Sequence, residues 1–194
     1  MLLPVAFVAV FSLTQFPVNT QPPELKIQAE KFISLSKSAE LSTLKVRKEV
    51  RQQTINFKLN DSDRERINKE VESKLHELLT QSSCKFFTVN QFQEFNLFLE
   101  KSSGKKFIES KWNTAVADFL KYLGKPANAM ELPNITFNQA EFDDIKKIDA
   151  SDSGSAFGKF ESEEINVSEK SEIYALIIKL CKQSGKSIAS PTTR

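Results

Sequence analysis

The sequence predicts an all-α protein: a single helical-bundle domain of six to eight helices, built around an antiparallel helix hairpin and containing a candidate degenerate repeat. Apolar residues recur at intervals of three and four along most of the chain, which is the spacing of one helix face. The alternation of apolar and polar residues that marks β-strands is rare. The chain has 194 residues, of which 40% are hydrophobic and 16 are Phe. This length and composition favour one well-packed core over two domains or a disordered chain.

The stretch from Phe86 to Phe107 predicts the end of one helix and the start of the next. Thr88 followed by Gln91 is a capping-box pair, in which each side chain satisfies a backbone N–H at the helix start. Gly104 suits the left-handed residue just past a helix end. The apolar faces of the two helices are Phe92, Phe95, Phe98 and Leu99, and then Ile108, Trp112, Ala115, Val116, Phe119, Leu120 and Leu123. Because the turn is short, the two helices are expected to lie side by side and roughly antiparallel.

A degraded copy of this stretch lies fifty residues further along the chain. With Gly154 aligned on Gly104, five more positions agree in character: Phe92, Phe95, Phe98, Ser103 and Phe107 match Phe142, Ile145, Ile148, Ser153 and Phe157. Asn138 and Glu141 supply a second capping pair. The alternative is that any two amphipathic helices ending in Ser-Gly look alike. Because Gly158 and an acidic run at 161–164 replace the long apolar helix of the first copy, only the first hairpin is expected to be intact.

The pattern FxxFLxxSSGKKF, in the segment that begins at Phe87, resembles the core signature of a bacterial exported family, the domain of unknown function 2059. The positions that match are Thr88, Phe92, Phe95, Phe98, Ser102 or Ser103, Gly104 and Lys106. The resemblance covers Ala29–Leu123. It implies a helical fold and export from the cytoplasm, and it brings no catalytic residues with it.

Proline, glycine and polar clusters divide the rest of the chain, because they start or stop helices. The expected organisation is a signal peptide at 1–20, a helical core domain with the aromatic hairpin at 21–124, a linker at 125–136, a C-terminal helical repeat packed on the core at 137–184 and a flexible tail at 185–194. The expected helix boundaries are Pro22-Pro23 before the first helix, Ser38–Leu59 for the second, a polar turn at 60–63 before the third, Gly124 and Pro126 after the fifth, and Ser168 and Gly185 around the last.

Met1–Leu13 is uncharged and mostly apolar. It is too short to span a bilayer as a helix, which takes about 20 apolar residues. A secretory signal peptide that ends near Thr20 is the favoured interpretation, and it predicts a secreted or periplasmic protein with no transmembrane span in the mature chain. The alternative is an ordinary N-terminal segment docked on the core, because no Lys or Arg precedes the apolar run and no Ala-x-Ala site follows it.

The two cysteines, Cys84 and Cys181, lie at the edges of expected helices. In an oxidising compartment they are candidates for a disulfide, which would close a long loop and so favour the folded state. The alternative is a pair of buried free thiols, since Cys is among the most buried residue types.

Residue types that carry catalysis or bind metals are sparse. His76 is the only histidine, which excludes a His-based triad and a zinc site with several histidines. Ser102 to Lys106 reads SSGKK and lacks the framework of a phosphate loop, so a helix break is favoured over an anion site. The sequence therefore predicts no catalytic residue, no metal site and no cofactor. The formal charge of +2 and the expected export both disfavour nucleic acid as a partner.

Two functions remain. The leading prediction is a non-catalytic binding or structural module of the cell envelope, with an unknown envelope or extracellular protein as its partner. The alternative is a carrier of an apolar, fatty-acid-like small molecule, held in a cavity lined by aromatic rings. The residues expected to line that cavity are Phe92, Phe95, Phe98, Phe107, Trp112 and Phe119. Ordinary filling of the core explains the same rings, because a bundle of this size needs them to exclude water.

Overall fold

The computed structural model describes residues 22–57, 59–126, 129–168 and 171–185. Over these ranges the chain forms eight α-helices and no β-strand, which confirms the all-α prediction. The helices are α1 (Pro23–Ser36), α2 (Ser38–Phe57), α3 (Asp61–Ser83), α4 (Val89–Glu100), α5 (Ser102–Tyr122), α6 (Gln139–Asp149), α7 (Asp152–Ser168) and α8 (Ser171–Gly185). The expected signal peptide and all of the expected tail beyond Gly185 lie outside the described residues.

Local sequence sets the start of several helices. In α4, the Thr88 hydroxyl accepts a hydrogen bond from the Gln91 N–H at 3.3 Å, and the Gln91 side chain accepts one from the Thr88 N–H at 2.8 Å. This is the predicted capping box, and it leaves neither backbone N–H without a partner. In α3, the Asn60 side chain accepts from the Asp63 N–H at 2.8 Å and caps the helix in the same way.

The junction between α4 and α5 corrects the expected role of Gly104. Lys101, with φ −71° and ψ 163°, is the single residue between the two helices, and Gly104 lies inside the first turn of α5. A Cβ on Gly104 would lie closer than 3.0 Å to the Phe98 carbonyl oxygen and the Leu99 Cα. Glycine is needed here because the backbone of α5 starts directly against the last turn of α4, and no left-handed conformation is involved.

Helices α6 and α7 form a complete helix pair. This corrects the expectation that only the first hairpin would be intact. The second capping box is present, with Asn138 and Glu141 bonded to each other's backbone N–H at 3.0 Å. Helix α7 then runs through Gly158, where an added Cβ would meet no atom within 4 Å. A helical glycine costs only about 1 kcal/mol. That cost is small beside the burial of Phe157 and Phe160 on the same helix.

The α4–α5 and α6–α7 pairs correspond at an interval of fifty residues. In each pair the residue before the cap packs against the fourth helical residue: the Phe87 and Phe92 ring centroids are 4.5 Å apart, and those of Phe137 and Phe142 are 5.4 Å apart. This arrangement is a hydrophobic staple around a capping box. Gly154 repeats the close approach of Gly104, because its Cβ would lie closer than 3.0 Å to the Ile148 carbonyl oxygen.

The contacts between the two helix pairs are reciprocal. The Ser103 hydroxyl donates to the Asp144 carboxylate at 2.9 Å, and the Ser153 hydroxyl donates to the Glu94 carboxylate. Ser103 corresponds to Ser153 and Glu94 to Asp144, so each pair gives the other the same contact. Where the two helix pairs meet, Phe107 packs against Phe157, the residue aligned with it in the second pair, with ring centroids 6.2 Å apart. Such an exchange is the arrangement found across a two-fold axis.

One hydrophobic core joins the whole fold. Each of the eight helices contributes at least one buried side chain to it, among them Ala29, Ala39, Ile67, Phe92, Ile108, Ile148, Phe160 and Ile173. The C-terminal helices therefore pack into the same core as the N-terminal ones. In α8, Ile173, Ile177, Leu180 and Cys181 are buried, whereas Ile178 is exposed, so this helix buries one face.

Helix α5 ends as predicted. Gly124 has φ +66°, the left-handed conformation that glycine adopts most readily, and Pro126 follows. The connection to α6 runs back along α5. The Asn113 side chain donates to the Pro133 carbonyl at 2.8 Å, and the Lys106 ammonium donates to the Thr136 carbonyl at 3.0 Å.

Candidate binding site

The six aromatic residues that were expected to line one cavity fall into two separate clusters. Phe92, Phe95, Phe98 and Phe107 belong to the main core, whereas Trp112 and Phe119 pack in a smaller cluster on α5. The first four rings pack against one another and their neighbours: the centroids of Phe95 and Phe157 are 4.6 Å apart, and those of Phe98 and Phe107 are 6.0 Å apart. These four rings fill the core, which was the alternative interpretation.

Phe32 of α1 is the centre of the main aromatic cluster. It is fully buried, and its ring centroid lies 5.0 to 6.1 Å from those of Phe87, Phe92, Phe95, Phe157 and Phe160. Aromatic pairs at these distances add about 0.5–1.5 kcal/mol each beyond their buried area. The sequence placed Phe32 on the first helix but carried no signal that five distant rings converge on it.

An open groove lies between α2 and α5, and we call it the α2–α5 groove. Its volume is about 500 Å³. It is lined by Leu41, Leu44 and Lys45 of α2, by Ser110, Lys111, Thr114, Ala115, Asp118, Phe119 and Tyr122 of α5, and by Glu161 of α7. Phe119 is the one member of the predicted aromatic set that lines it. This volume falls within the usual range for small-molecule sites, about 300–1,000 Å³.

The smaller cluster adjoins the groove, and three of its residues, Leu44, Ala115 and Phe119, line it. Leu44, Val116 and Leu120 are buried there, and Trp112, Ala115, Phe119 and Leu132 pack against them. The spacing of four residues between Trp112, Val116 and Leu120 places these side chains along one strip of α5. Ala115 and Phe119 form the adjacent strip, half-buried at the open side. In the sequence both strips belong to one apolar face of α5, so the groove beside them was not predicted.

Charged groups flank the groove in balanced numbers. Lys45 and Lys111 are basic, and Asp118 and Glu161 are acidic. The Lys111 ammonium forms an ion pair with Glu161. It also lies over two aromatic rings, 4.9 Å from the centroid of Phe157 and 5.4 Å from that of Phe107. The rings and the carboxylate together hold this ammonium at the wall of the groove.

The start of α5 already holds an anion, supplied by the protein. The Glu141 carboxylate accepts hydrogen bonds from the Ser102 hydroxyl at 2.7 Å and from the Lys106 ammonium at 2.8 Å. The bond from Lys106, followed by those from the Asn138 N–H and Ser102, lowers the pKa of Glu141 to about 2. The Ser-Ser-Gly-Lys-Lys segment is therefore a helix start that binds a carboxylate of the same chain.

His76 borders a second cavity of about 380 Å³ between α3 and the α1–α2 segment. Its side chain is half-buried. The other lining residues are Ser34, Ala39, Glu40, Lys69, Glu72 and Ser73. Burial raises the pKa of the Glu72 carboxyl, and the neighbouring Glu40 raises it further. This cavity is polar and charged, in contrast to the apolar α2–α5 groove.

The candidate disulfide is not formed in this structure, in which Cys84 and Cys181 are both free thiols. The Arg66 guanidinium donates to the Ser184 hydroxyl at 2.6 Å, which places the end of α8 beside the N-terminal half of α3. Cys181 lies one turn before Ser184, whereas Cys84 follows the C-terminus of α3, about 27 Å along the helix axis from Arg66. A disulfide needs Cα atoms within about 7 Å.

Burial raises the pKa of both thiols, Cys84 and Cys181. The neutral thiol is thus favoured over the reactive thiolate at each position. Both side chains pack on the main core, which matches the alternative of two buried free thiols.

Among the residues that the structure describes, no group of three or more His, Cys, Asp or Glu side chains is arranged to hold a metal ion. Within the same ranges, no helix has the length and apolar character needed to cross a membrane. Comparison of the chain with models of protein families, with curated proteins and with solved structures finds no match.

Proposed function

We propose that this protein is a non-catalytic binding module of the cell envelope and that it binds an apolar ligand in the α2–α5 groove. The observation that carries the proposal is the groove itself: about 500 Å³ of open space over a floor of apolar side chains on α2 and α5. Apolar area left uncovered in a concave site is the usual feature of a binding site.

The proposed ligand site is the α2–α5 groove, which differs from the aromatic cavity predicted from the sequence. The carrier hypothesis placed the ligand among six aromatic residues of α4 and α5, of which Phe119 alone lines the groove. Phe92 and Phe95 are almost fully buried and in contact with other rings. A ligand there would have to displace packed side chains, at a cost of several kcal/mol. In the groove it has only to displace water.

The size of the groove favours a small ligand. The lining residues of α5 extend from Ser110 to Tyr122, about 18 Å along the helix axis. A volume of about 500 Å³ is that of a typical small-molecule site. These dimensions support carriage of a small apolar molecule as the form of binding.

The proposal is tested by filling the groove. Leu in place of Ala115 adds three carbon atoms to the groove wall, and Ala140→Leu makes the same change at an exposed site on α6. With the neutral fluorescent probe N-phenyl-1-naphthylamine, we expect saturable binding to the natural chain and at least about tenfold weaker binding to Ala115→Leu. Ala140→Leu should bind like the natural chain.

Circular dichroism establishes that both variants are folded. Absence of saturable probe binding to the natural chain would contradict the binding role and leave a purely structural one. Equal binding by both variants would place the ligand outside the groove.

The location in the envelope is proposed from the sequence. The apolar run Met1–Leu13 supports a signal peptide at 1–20 and a secreted or periplasmic mature chain. The resemblance to the domain of unknown function 2059 supports the same location, and we propose distant membership of that family. The Ser103–Gly104 dipeptide of the signature lies at the tight α4–α5 junction, where the structure gives each residue a packing role.

We also propose that the α4–α5 and α6–α7 pairs are degenerate copies of one unit. Matching caps, staples, close-packed glycines and exchanged serine–carboxylate bonds support a common origin better than chance similarity does. Two unrelated amphipathic helix pairs would have no reason to contact each other reciprocally.

A further inference from the structure

The charges around the α2–α5 groove restrict the chemistry of what it binds. Two basic and two acidic side chains belong to its described lining, so their formal charges cancel. Lys111 is held by Glu161 and by two aromatic rings. A charged ligand group would be attracted by one pair of side chains and repelled by the other, and it would still lose its hydration on entry.

The shape of the groove points to a chain-like ligand. Its lining residues follow three turns of α5, at Lys111, Ala115, Phe119 and Tyr122. From Ser110 to Tyr122 this path is about 18 Å long, and its length suits an extended hydrocarbon chain.

The wall of the groove carries hydroxyl groups as well as charged side chains. Ser110 and Thr114 lie one turn apart on the groove-lining face, and the Thr114 hydroxyl donates to the Ser110 carbonyl at 3.1 Å. Its oxygen keeps lone pairs that can accept a hydrogen bond. A neutral donor such as an alcohol group can be satisfied here without bringing a net charge into the groove.

From these observations we infer that the α2–α5 groove binds an uncharged, chain-like apolar molecule, such as a fatty alcohol or ester, in preference to a fatty-acid anion or a cationic amphiphile. This inference rests on the proposed binding function and specifies the class of ligand.

The test compares three ligands with the same chain length: decanol, decanoate and decyltrimethylammonium, each below its micellar concentration at pH 8. Trp112 is the only tryptophan and packs in one cluster with Leu44, Ala115 and Phe119, which line the groove, so its fluorescence is the readout of binding. We expect decanol to bind at least about tenfold more tightly than either ion. Decanoate binding as tightly as decanol would overturn the inference and leave the binding function in place. Failure of all three ligands to bind would overturn both.

A variant of one charged residue makes the comparison independent of the different solubilities of the three ligands. Asp118→Asn removes one carboxylate from the exposed rim and leaves the described lining with a net positive charge. It should strengthen decanoate binding several-fold, weaken decyltrimethylammonium binding and leave decanol unchanged. Asp143→Asn, on the exposed side of α6, is the matched control and should change none of the three. An equal response of the two variants would overturn the inference.

Discussion

At the residue scale, Glu141 shows how one carboxylate organises a junction. It caps its own helix through the Asn138 N–H at 3.0 Å, and it also receives Ser102 and Lys106 from the start of α5. Three donors around one carboxylate favour the charged form, which is why its pKa falls to about 2. The sequence indicated the cap through the spacing of Asn138 and Glu141. It did not indicate the two donors from α5, because they are distant along the chain.

This low pKa predicts how stability depends on pH. In the unfolded chain a Glu carboxyl has a pKa of about 4.3, above the folded value, so the stabilisation is present above pH 4.3 and is lost as the pH falls toward 2. Glu141→Gln should therefore lower the urea midpoint at pH 7. The difference from the natural chain should shrink as the pH is lowered from about 4 to 2.

Glu109→Gln on the exposed side of α5 is the control, and its urea midpoint should follow that of the natural chain throughout. A difference for Glu141→Gln that stays constant down to pH 2 would show that the carboxylate charge is not what stabilises the junction.

At the scale of elements, glycine decides how closely consecutive helices approach. Gly104 and Gly154 each lie in the first turn of a helix whose backbone touches the last turn of the helix before it. Gly158 has helical conformation as well, but its surroundings are open. The three positions look alike in the sequence, and only their neighbours in space distinguish them.

Alanine substitutions should distinguish the two close-packed glycines from the one in open surroundings. Gly104→Ala and Gly154→Ala each place a methyl group against backbone atoms that cannot move aside, and each should lower the free energy of unfolding by about 3 kcal/mol. Gly158→Ala adds a methyl group in open space on a helix and should raise it by about 1 kcal/mol. Urea denaturation of the three variants measures the difference. Similar values for Gly104→Ala and Gly158→Ala would contradict the close approach of α4 and α5.

At the scale of the whole molecule, a single core places distant parts of the chain. The same cluster contains Phe32 of α1, Phe160 of α7 and Cys181 of α8. This arrangement sets Cys181 beside the N-terminal half of α3 and Cys84 at the opposite end. The two thiols are separated by the length of a helix although both pack against one core.

The fold therefore predicts two reduced cysteines. Protein purified without reductant and unfolded in guanidinium chloride should react with two equivalents of a thiol reagent, one for each of its 2 cysteines. The native protein should react much more slowly, because burial raises the pKa of both thiols. Added reductant should leave the melting temperature unchanged. A melting temperature that falls with reductant would show that a disulfide stabilises the protein.

Prediction from the sequence succeeded where the cause is local. The capping boxes at Thr88 and Asn138 and the helix end at Gly124 depend on residues within four positions of each other. The role of Gly104 and the extent of α7 were predicted wrongly, and the state of the cysteines was left open. Each of these depends on atoms supplied by another helix, and a periodicity in the sequence contains no information about which helix that is.

By itself, the sequence determined that the protein is all-α, where most helices begin and which residues form their apolar faces, since these follow from backbone hydrogen bonding and side-chain spacing within a few residues. Only the tertiary structure decided which apolar faces are covered. It buried the phenylalanines of α4 beneath α1 and α7 and left a strip of α5 uncovered beside α2 as the groove. The physical reason is that burial is non-directional: many arrangements of the same faces remove apolar area from water, and the close packing of all eight helices selects one of them.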